Sequence, residues 1–405
     1  MNETVPPADT HATPLSGSHS RLALIVALGM AFLPIGMDVY ASILSDMAAA
    51  FGSAIGWAQY ALSVYLAGFA LAHVVIGPLA DRYGRRPTML LGLVLFTLAS
   101  IAAALAPTLD WMLTARFVEG LGAAAGTILV RTIVRDTLDP ISGGRVFALG
   151  ALGMSIVPVF GPWFASSLVA IYSWRAALWV IAGYGVVGTI AVAILVRETL
   201  VHKRKLQRFG GWPAALREVL PDPEFLAWSA CIALAYSGLA AWLANATSVL
   251  MGHFHVSHNA YGFYYGGVVV GFIPGSFIAA WLMRRHSLTR SAATGASIIV
   301  VSGITLIGLV AAGVDTALAV VGGLAIYPLG WAMVQPASQA GALARHAATA
   351  GRASAVYGFI QLCTGAVAAA VLGPFVHGDI ARLGAVYMLI GLGVLMLTAG
   401  ARSAA

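Results

Sequence analysis

Charged side chains are scarce in this sequence, at 9% of 405 residues against 60% hydrophobic, with a mean hydropathy of +0.88. So little charge excludes a soluble domain of this length, because water would be a poor solvent for the chain. Cysteine is almost absent too. Cys231 and Cys363 stand alone, which excludes a disulfide framework or a thiolate metal site and leaves two small packing residues. No Gly-rich loop followed by Lys and Ser or Thr is present, so nucleotide-driven chemistry is disfavoured. No His-Glu-x-x-His segment or pair of intramembrane aspartates suggests an intramembrane enzyme, and no stretch leaves room for a soluble sensor domain. The three histidines of His253-Phe254-His255-Val256-Ser257-His258 lack a companion acid or cysteine in sequence, so a solvated loop is favoured over a metal site. No cofactor, metal or nucleic-acid partner is expected.

What is abundant is apolar length. Runs of twenty or more residues recur from Leu22 onward, each able to cross a ~30 Å hydrocarbon core at ~1.5 Å per residue. Lipid cannot satisfy open backbone groups, so these runs are expected to be helices, and their continuity argues against a β-barrel. The fold class expected is an all-α membrane protein with spans at 22–48, 57–79, 87–106, 111–134, 146–171 and 176–196, then 225–251, 260–283, 291–313, 316–342, 353–376 and 383–400. Residues 1–21 read as a disordered cytoplasmic tail and 197–224, rich in Lys, Arg, Gly and Pro, as a linker. It separates an N-terminal bundle at 22–196 from a C-terminal bundle at 225–405, six spans each, around a midplane cavity. Of the 22 lysines and arginines, only Arg175 and Arg382 fall in outer connections and only Arg116 and Arg131 within spans. The remainder collect on one side, which predicts both termini inside a bacterial inner membrane.

The segment Gly77-Pro78-Leu79-Ala80-Asp81-Arg82-Tyr83-Gly84-Arg85-Arg86-Pro87 predicts a tight charged turn between spans 2 and 3. Its glycines suit close helix approach and reversal, and its arginines can reach acids such as Asp136, latching a cytoplasmic gate together with Arg131 and Arg135. In span 5, Gly150 and Gly153 clear one helix face, with Gly161 further along, while Pro158 and Pro162 can bend the helix, against proton leak.

An intramembrane charge is costly and usually faces a cavity or a partner. Asp38 lies roughly 15 Å deep in span 1, with Arg116 and Glu119 roughly 8 and 12 Å deep in span 4; spans 7 to 12 hold no acid. Asp38, Arg116 and Glu119 are therefore the proton-coupling candidates, with Asp38 first and movement toward or away from Arg116 a means of loading and releasing a proton. An Asp38 to Arg116 or Arg116 to Glu119 ion pair is the structural alternative. His73, near the cytoplasmic end of span 2, reads as a packing histidine. Polar and aromatic residues inside apolar spans suggest a cavity wall of Tyr40, Gln59, Tyr65, Trp242, Asn245, Tyr327, Trp331, Gln335, Tyr357 and Gln361, suited to amphipathic cargo. Tyr261 and Tyr265 fit either that wall or an interfacial belt.

The turn at Gly77–Pro87 resembles that of the major facilitator superfamily. Asp38-Val39-Tyr40 with Leu44, the stretch Thr114–Ala123, and Arg131–Asp136 resemble the bicyclomycin- and chloramphenicol-resistance type of drug:proton antiporter. The span 5 glycines and prolines resemble an antiporter motif, and Arg197-Glu198-Thr199-Leu200 the close of span 6. The resemblance is strongest over residues 36–200. It implies twelve helices in two pseudo-symmetric bundles and proton-coupled efflux of small compounds by a monomer. An exporter dedicated to one metabolite and a proton-coupled uptake symporter are the alternatives.

Overall fold

In a computed structural model of the protein, the described residues are 17–138, 146, 157, 158, 160–200 and 211–403. All regular structure among them is helical. The helices are α1 (Gly17–Pro34), α2 (Leu44–Ala50), α3 (Ile55–Tyr83), α4 (Arg85–Ala104) and α5 (Leu109–Thr137); α6 (Phe160–Ile171); and α7 (Trp174–Leu195), α8 (Gly211–Val219), α9 (Pro223–Thr247) and α10 (His258–Val269). The chain continues through α11 (Phe272–Arg285), α12 (Leu288–Ala311), α13 (Ala317–Leu343), α14 (Ala350–Val376) and α15 (Ile380–Ser403). Among the described residues 11 helical stretches are long and apolar enough to cross a membrane, and α6 is a shorter apolar helix within the predicted fifth span. The first part of that span, with Gly150 and Gly153, lies outside the described residues, as does most of the 1–21 segment.

The outward surface is lipid-like. Leu98, Ile194, Phe277, Leu318 and Met396 are all exposed, as expected where hydrocarbon rather than water is the solvent. Inside, small residues set the helix spacing. A side chain at Gly68 would meet the Phe117 carbonyl, and one at Gly120 the Tyr65 carbonyl, so α3 and α5 approach backbone to backbone.

Three predicted elements are interrupted. Span 1 is broken into α1, a π-helical turn at Ile35–Val39 and α2. Pro34 closes α1 without an N–H of its own, which favours a register change there. Span 7 ends in a second π-helical turn at Ser248–His253, and span 8 is split at Val270–Gly271. The 197–224 stretch also holds more order than a linker requires. Trp212, Ala215, Leu216 and Val219 share one face of α8 at helical spacing. Trp212 packs on Phe359 of α14 at 5.1 Å, and Arg352 pairs with Glu218 at 3.3 Å.

Candidate functional site: buried charges at the bundle interface

Asp38 sits in the first π-helical turn, only 6% exposed. Its Oδ1 accepts a 2.5 Å hydrogen bond from the Tyr265 hydroxyl, which belongs to α10 in the other bundle. Tyr265 is itself held between Trp242, stacked at 6.0 Å, and Tyr261 at 5.9 Å. Tyr261 and Tyr265 are fully buried, so of the two alternatives for them the interfacial belt is excluded, and the Tyr265 hydroxyl reaches across to the other bundle.

Arg116 does not pair with Asp38. It lies 2.9 Å from Glu119 one turn along α5 and donates to the Gly36 carbonyl at 2.5 Å. Its guanidinium is stacked between the Tyr40 ring at 4.0 Å and the Tyr65 ring at 4.3 Å. Those two tyrosines are anchored in turn, Tyr40 donating to the Met47 sulfur at 2.7 Å and Tyr65 to the Phe32 carbonyl at 2.8 Å. The outcome is a closed, charge-balanced cluster inside the first bundle. Of the two buried carboxylates among the described residues, Glu119 has a cation and Asp38 has none.

At the basic end, the Gly77–Pro87 turn forms its network within one bundle. Arg85 bridges Asp81 at 2.5 Å and Asp136 at 3.2 Å. Gly84, at φ 112°, makes the reversal. Glu198 caps the start of α4, accepting from the Arg85 N–H at 2.9 Å and the Arg86 N–H at 3.2 Å. Burial alone would raise the Glu198 carboxyl, but the N–H groups of Leu200, Arg85, Arg86 and Thr199 together hold it below the usual carboxylate range. Arg86 also donates to the Ala193 carbonyl at 2.7 Å. Gly77 has open space where a Cβ would stand, so close approach is not its role in this conformation. Arg82 lies over the exposed Tyr83 ring at 4.9 Å, while Arg131 and Arg135 are exposed without an ion pair among the described residues. Arg85 thus reaches Asp136, the acid its sequence position suggested, and among the described residues the acids that Arg85 and Arg86 meet all lie on the N-terminal side, in α3, α5 and the segment after α7.

The bundles are tied at the opposite end instead. Among the described residues four side-chain hydrogen bonds cross between them: Tyr265 to Asp38, Gln59 to the Ala244 carbonyl at 2.7 Å, Thr247 to the Ala41 carbonyl, and His258 Nε2 with Asp46 at 3.0 Å. Pro158, ahead of α6, is half-buried and Pro162 within α6 is buried. Gly161 faces Val39 of the π-helical turn. A side chain at Gly262 of α10 would overlap the Trp163 backbone, so this contact too crosses the interface.

The predicted cavity residues lie at different levels along the bundles. Tyr40, Gln59, Tyr65, Trp242 and Asn245 are buried in the tied half; Asn245 donates to Ala241 and accepts from the Gly378 N–H at 3.1 Å. Tyr327 is buried against Tyr387 and bonds the Ala235 carbonyl. Trp331, Gln335, Tyr357 and Gln361 lie toward the basic end on α13 and α14. The Tyr357 hydroxyl and Trp331 indole N–H are without partners, and Gln335 and Gln361 are half-buried. His73 of α3 bonds the Phe69 carbonyl at 3.0 Å, consistent with packing. The 253–258 histidines separate, His253 to Asp315 at 2.8 Å and His258 to Asp46, and no group of three or more metal-type ligands occurs among the described residues.

Glu198, Asp46 with His258, and Tyr265 as the partner of Asp38 carry the contacts that sequence reasoning missed. The signal for Tyr265 was a hydroxyl in an apolar span; its partner lies 227 residues away and no local pattern names it.

Known proteins share this architecture. The structure superposes on the xylose transporter XylE from E. coli, in a partially occluded inward open conformation, with a TM-score of 0.73 at 14% identity over 93% of this chain and 97% of that one. In sequence, the chain is 26% identical over 362 residues to the uncharacterized MFS-type transporter YdgK of Bacillus subtilis, covering 87% of this chain and 89% of the relative. It is 25% identical over 374 residues to multidrug resistance protein MdtL of Shewanella oneidensis, 92% and 93% of the two chains. Against MdtL of Klebsiella pneumoniae it is 36% identical over 167 residues, 41% and 42% of the two. The Major Facilitator Superfamily profile matches residues 26–374. With two helical bundles meeting around buried charge and that match across most of its length, the chain is a multi-pass membrane transporter, not an enzyme, and belongs to the Major Facilitator Superfamily.

Proposed function

We propose that the protein is a proton-coupled exporter of small amphipathic compounds across the bacterial inner membrane, of the bicyclomycin- and chloramphenicol-resistance type, with both termini and the basic end in the cytoplasm. The observation that carries this reading is the unequal fate of the two buried carboxylates. Glu119 is neutralised by Arg116 inside a rigid aromatic cage. Asp38 has no cation, occupies an irregular turn and faces the other bundle. A buried carboxylate without a counterion gains most from taking up a proton. It is also placed where its surroundings change as the bundles rock, so proton binding and alternating access are linked.

Cargo enters from the basic end in this conformation, where no side-chain hydrogen bond among the described residues spans the bundles. There Trp331, Tyr357, Gln335 and Gln361 offer flat rings and sparse polar groups, a surface that selects by area and amphipathicity rather than by one shape. The multidrug resistance names carried by the MdtL relatives agree with efflux. An exporter dedicated to one metabolite would use the same machinery, whereas an uptake symporter would reverse the direction of proton flow on cargo addition.

The test is transport by the purified protein in vesicles under an imposed pH gradient, screened against dyes, antibiotics and metabolites. Cargo addition is expected to drive protons opposite to the cargo, and Asp38→Asn is expected to abolish uphill efflux and its pH dependence. Full uphill efflux by Asp38→Asn would remove the carboxylate from the mechanism.

A further inference from the structure

Of the four ties across the interface, two are indifferent to protonation, being hydrogen bonds from Gln59 and Thr247 to backbone carbonyls. A third, His258 with Asp46, is at the rim and half-exposed. Only the Tyr265–Asp38 bond joins the bundles through the group proposed to carry the proton, and it is the shorter of the two ties that involve a carboxylate, at 2.5 Å against 3.0 Å. We propose that Tyr265 is a positioning residue that makes exchange obligatory: its hydroxyl, donating to charged Asp38, holds the carrier closed at the end opposite the basic one until cargo or a proton takes its place.

The proposal rests on the Asp38 reading and adds a second component to it. Hydrogen bonds from a hydroxyl to an ionised carboxylate are about twice as strong as neutral ones. An empty, deprotonated carrier is therefore the state in which this tie is strongest. Its closure is what an antiporter needs, since an empty carrier that reoriented freely would carry protons without cargo. A proton on Asp38 removes the charge assistance, and a cargo molecule wedged between the bundles replaces the hydroxyl, so either one releases the tie. The ionisable groups near enough to feel the charge of Asp38 are Tyr65 of α3, Tyr236 of α9, and Tyr261 and Tyr265 of α10. No cation is among them, and Arg116 is occupied by Glu119. Nothing else among the described residues makes a side-chain hydrogen bond to Asp38 from the second bundle. Trp242 and Tyr261 brace the Tyr265 ring, so the hydroxyl is aimed rather than searching.

The experiment needs no known cargo. Full-length wild type, Tyr265→Phe, Asp38→Asn and the double variant are reconstituted at equal, monodisperse amounts in liposomes enclosing a pH-sensitive dye, and proton entry is followed under an imposed gradient. Tyr265→Phe is expected to leak about tenfold faster than wild type, the loss of one charge-assisted hydrogen bond, and the double variant to be as tight as wild type because protons no longer have a carrier. A Tyr265→Phe protein as tight as wild type overturns the tie and leaves the Asp38 reading untouched. Equal leak with and without Asp38 shows that protons pass elsewhere and overturns the tie. In the separate vesicle transport assay, full uphill efflux by Asp38→Asn sinks the Asp38 reading, and with it this proposal.

Discussion

Replacing Arg116 with methionine isolates the balance of charge beside the transport site. Arg116 is fully buried, and its removal leaves Glu119 in a medium that cannot solvate a carboxylate. Breaking a buried ion pair on one side costs about 3–5 kcal/mol, and the two ring contacts at 4.0 and 4.3 Å contribute roughly 0.5–2 kcal/mol each. The single variant Arg116→Met should therefore lose most of its folded population in detergent, with a much lower thermal midpoint by fluorescence-detected size-exclusion. Glu119→Gln, which retains a hydrogen-bonding partner at the same place, should be less harmful. The double variant Arg116→Met with Glu119→Met should recover much of the loss, because an apolar pair of similar volume avoids the desolvation of both charges. The recovery, read as the coupling in a double-mutant cycle, separates a structural pair from a proton site. If Glu119→Gln were fully stable yet lost proton-coupled transport, the cluster would be a coupling element and its assignment as scaffold would be refuted.

Two further outcomes are expected. The Glu198 carboxyl is depressed in the folded protein, so its contribution is present at pH values above the ordinary carboxylate range and is lost as the pH falls through the lowered folded value; Glu198→Gln should reproduce the acid behaviour at neutral pH, with faster amide exchange at Arg85, Arg86, Thr199 and Leu200. Gly262→Leu cannot retain the backbone contact with Trp163, so it should favour separation of the bundles at that end, raising the labelling of a cysteine at Ser257 by an impermeant maleimide; unchanged labelling would count against the close packing of α6 and α10.

Most of the fold was legible because lipid imposes a simple rule. Most apolar runs became helices within a few residues of their expected ends, as with α4 at Arg85–Ala104 against 87–106. Interruptions were harder to see. Tyr40–Ile43 reads as ordinary membrane helix, and the break there comes just after a π-helical turn whose Gly36 carbonyl accepts from Arg116, a contact 80 residues distant. The same distance problem governs the site. Asp38, Arg116 and Glu119 could be named from burial of charge alone, and the i,i+3 spacing of Arg116 and Glu119 made their pairing readable. Glu198 was visible only as part of a motif, since its partners are backbone N–H groups of another helix. Tyr265 looked like any membrane tyrosine until the two bundles were brought together.

The two π-helical turns, Ile35–Val39 and Ser248–His253, occupy corresponding places near the end of the first long helix in each bundle. Each holds one residue more than an α-helical turn would. Letting that residue slip out turns the segments on either side against each other by about 100°, the angular step of one residue in an α-helix. For Asp38 a swing of that size would carry the carboxylate from the neighbouring bundle to a different face of its own helix, with the rest of the helix still intact.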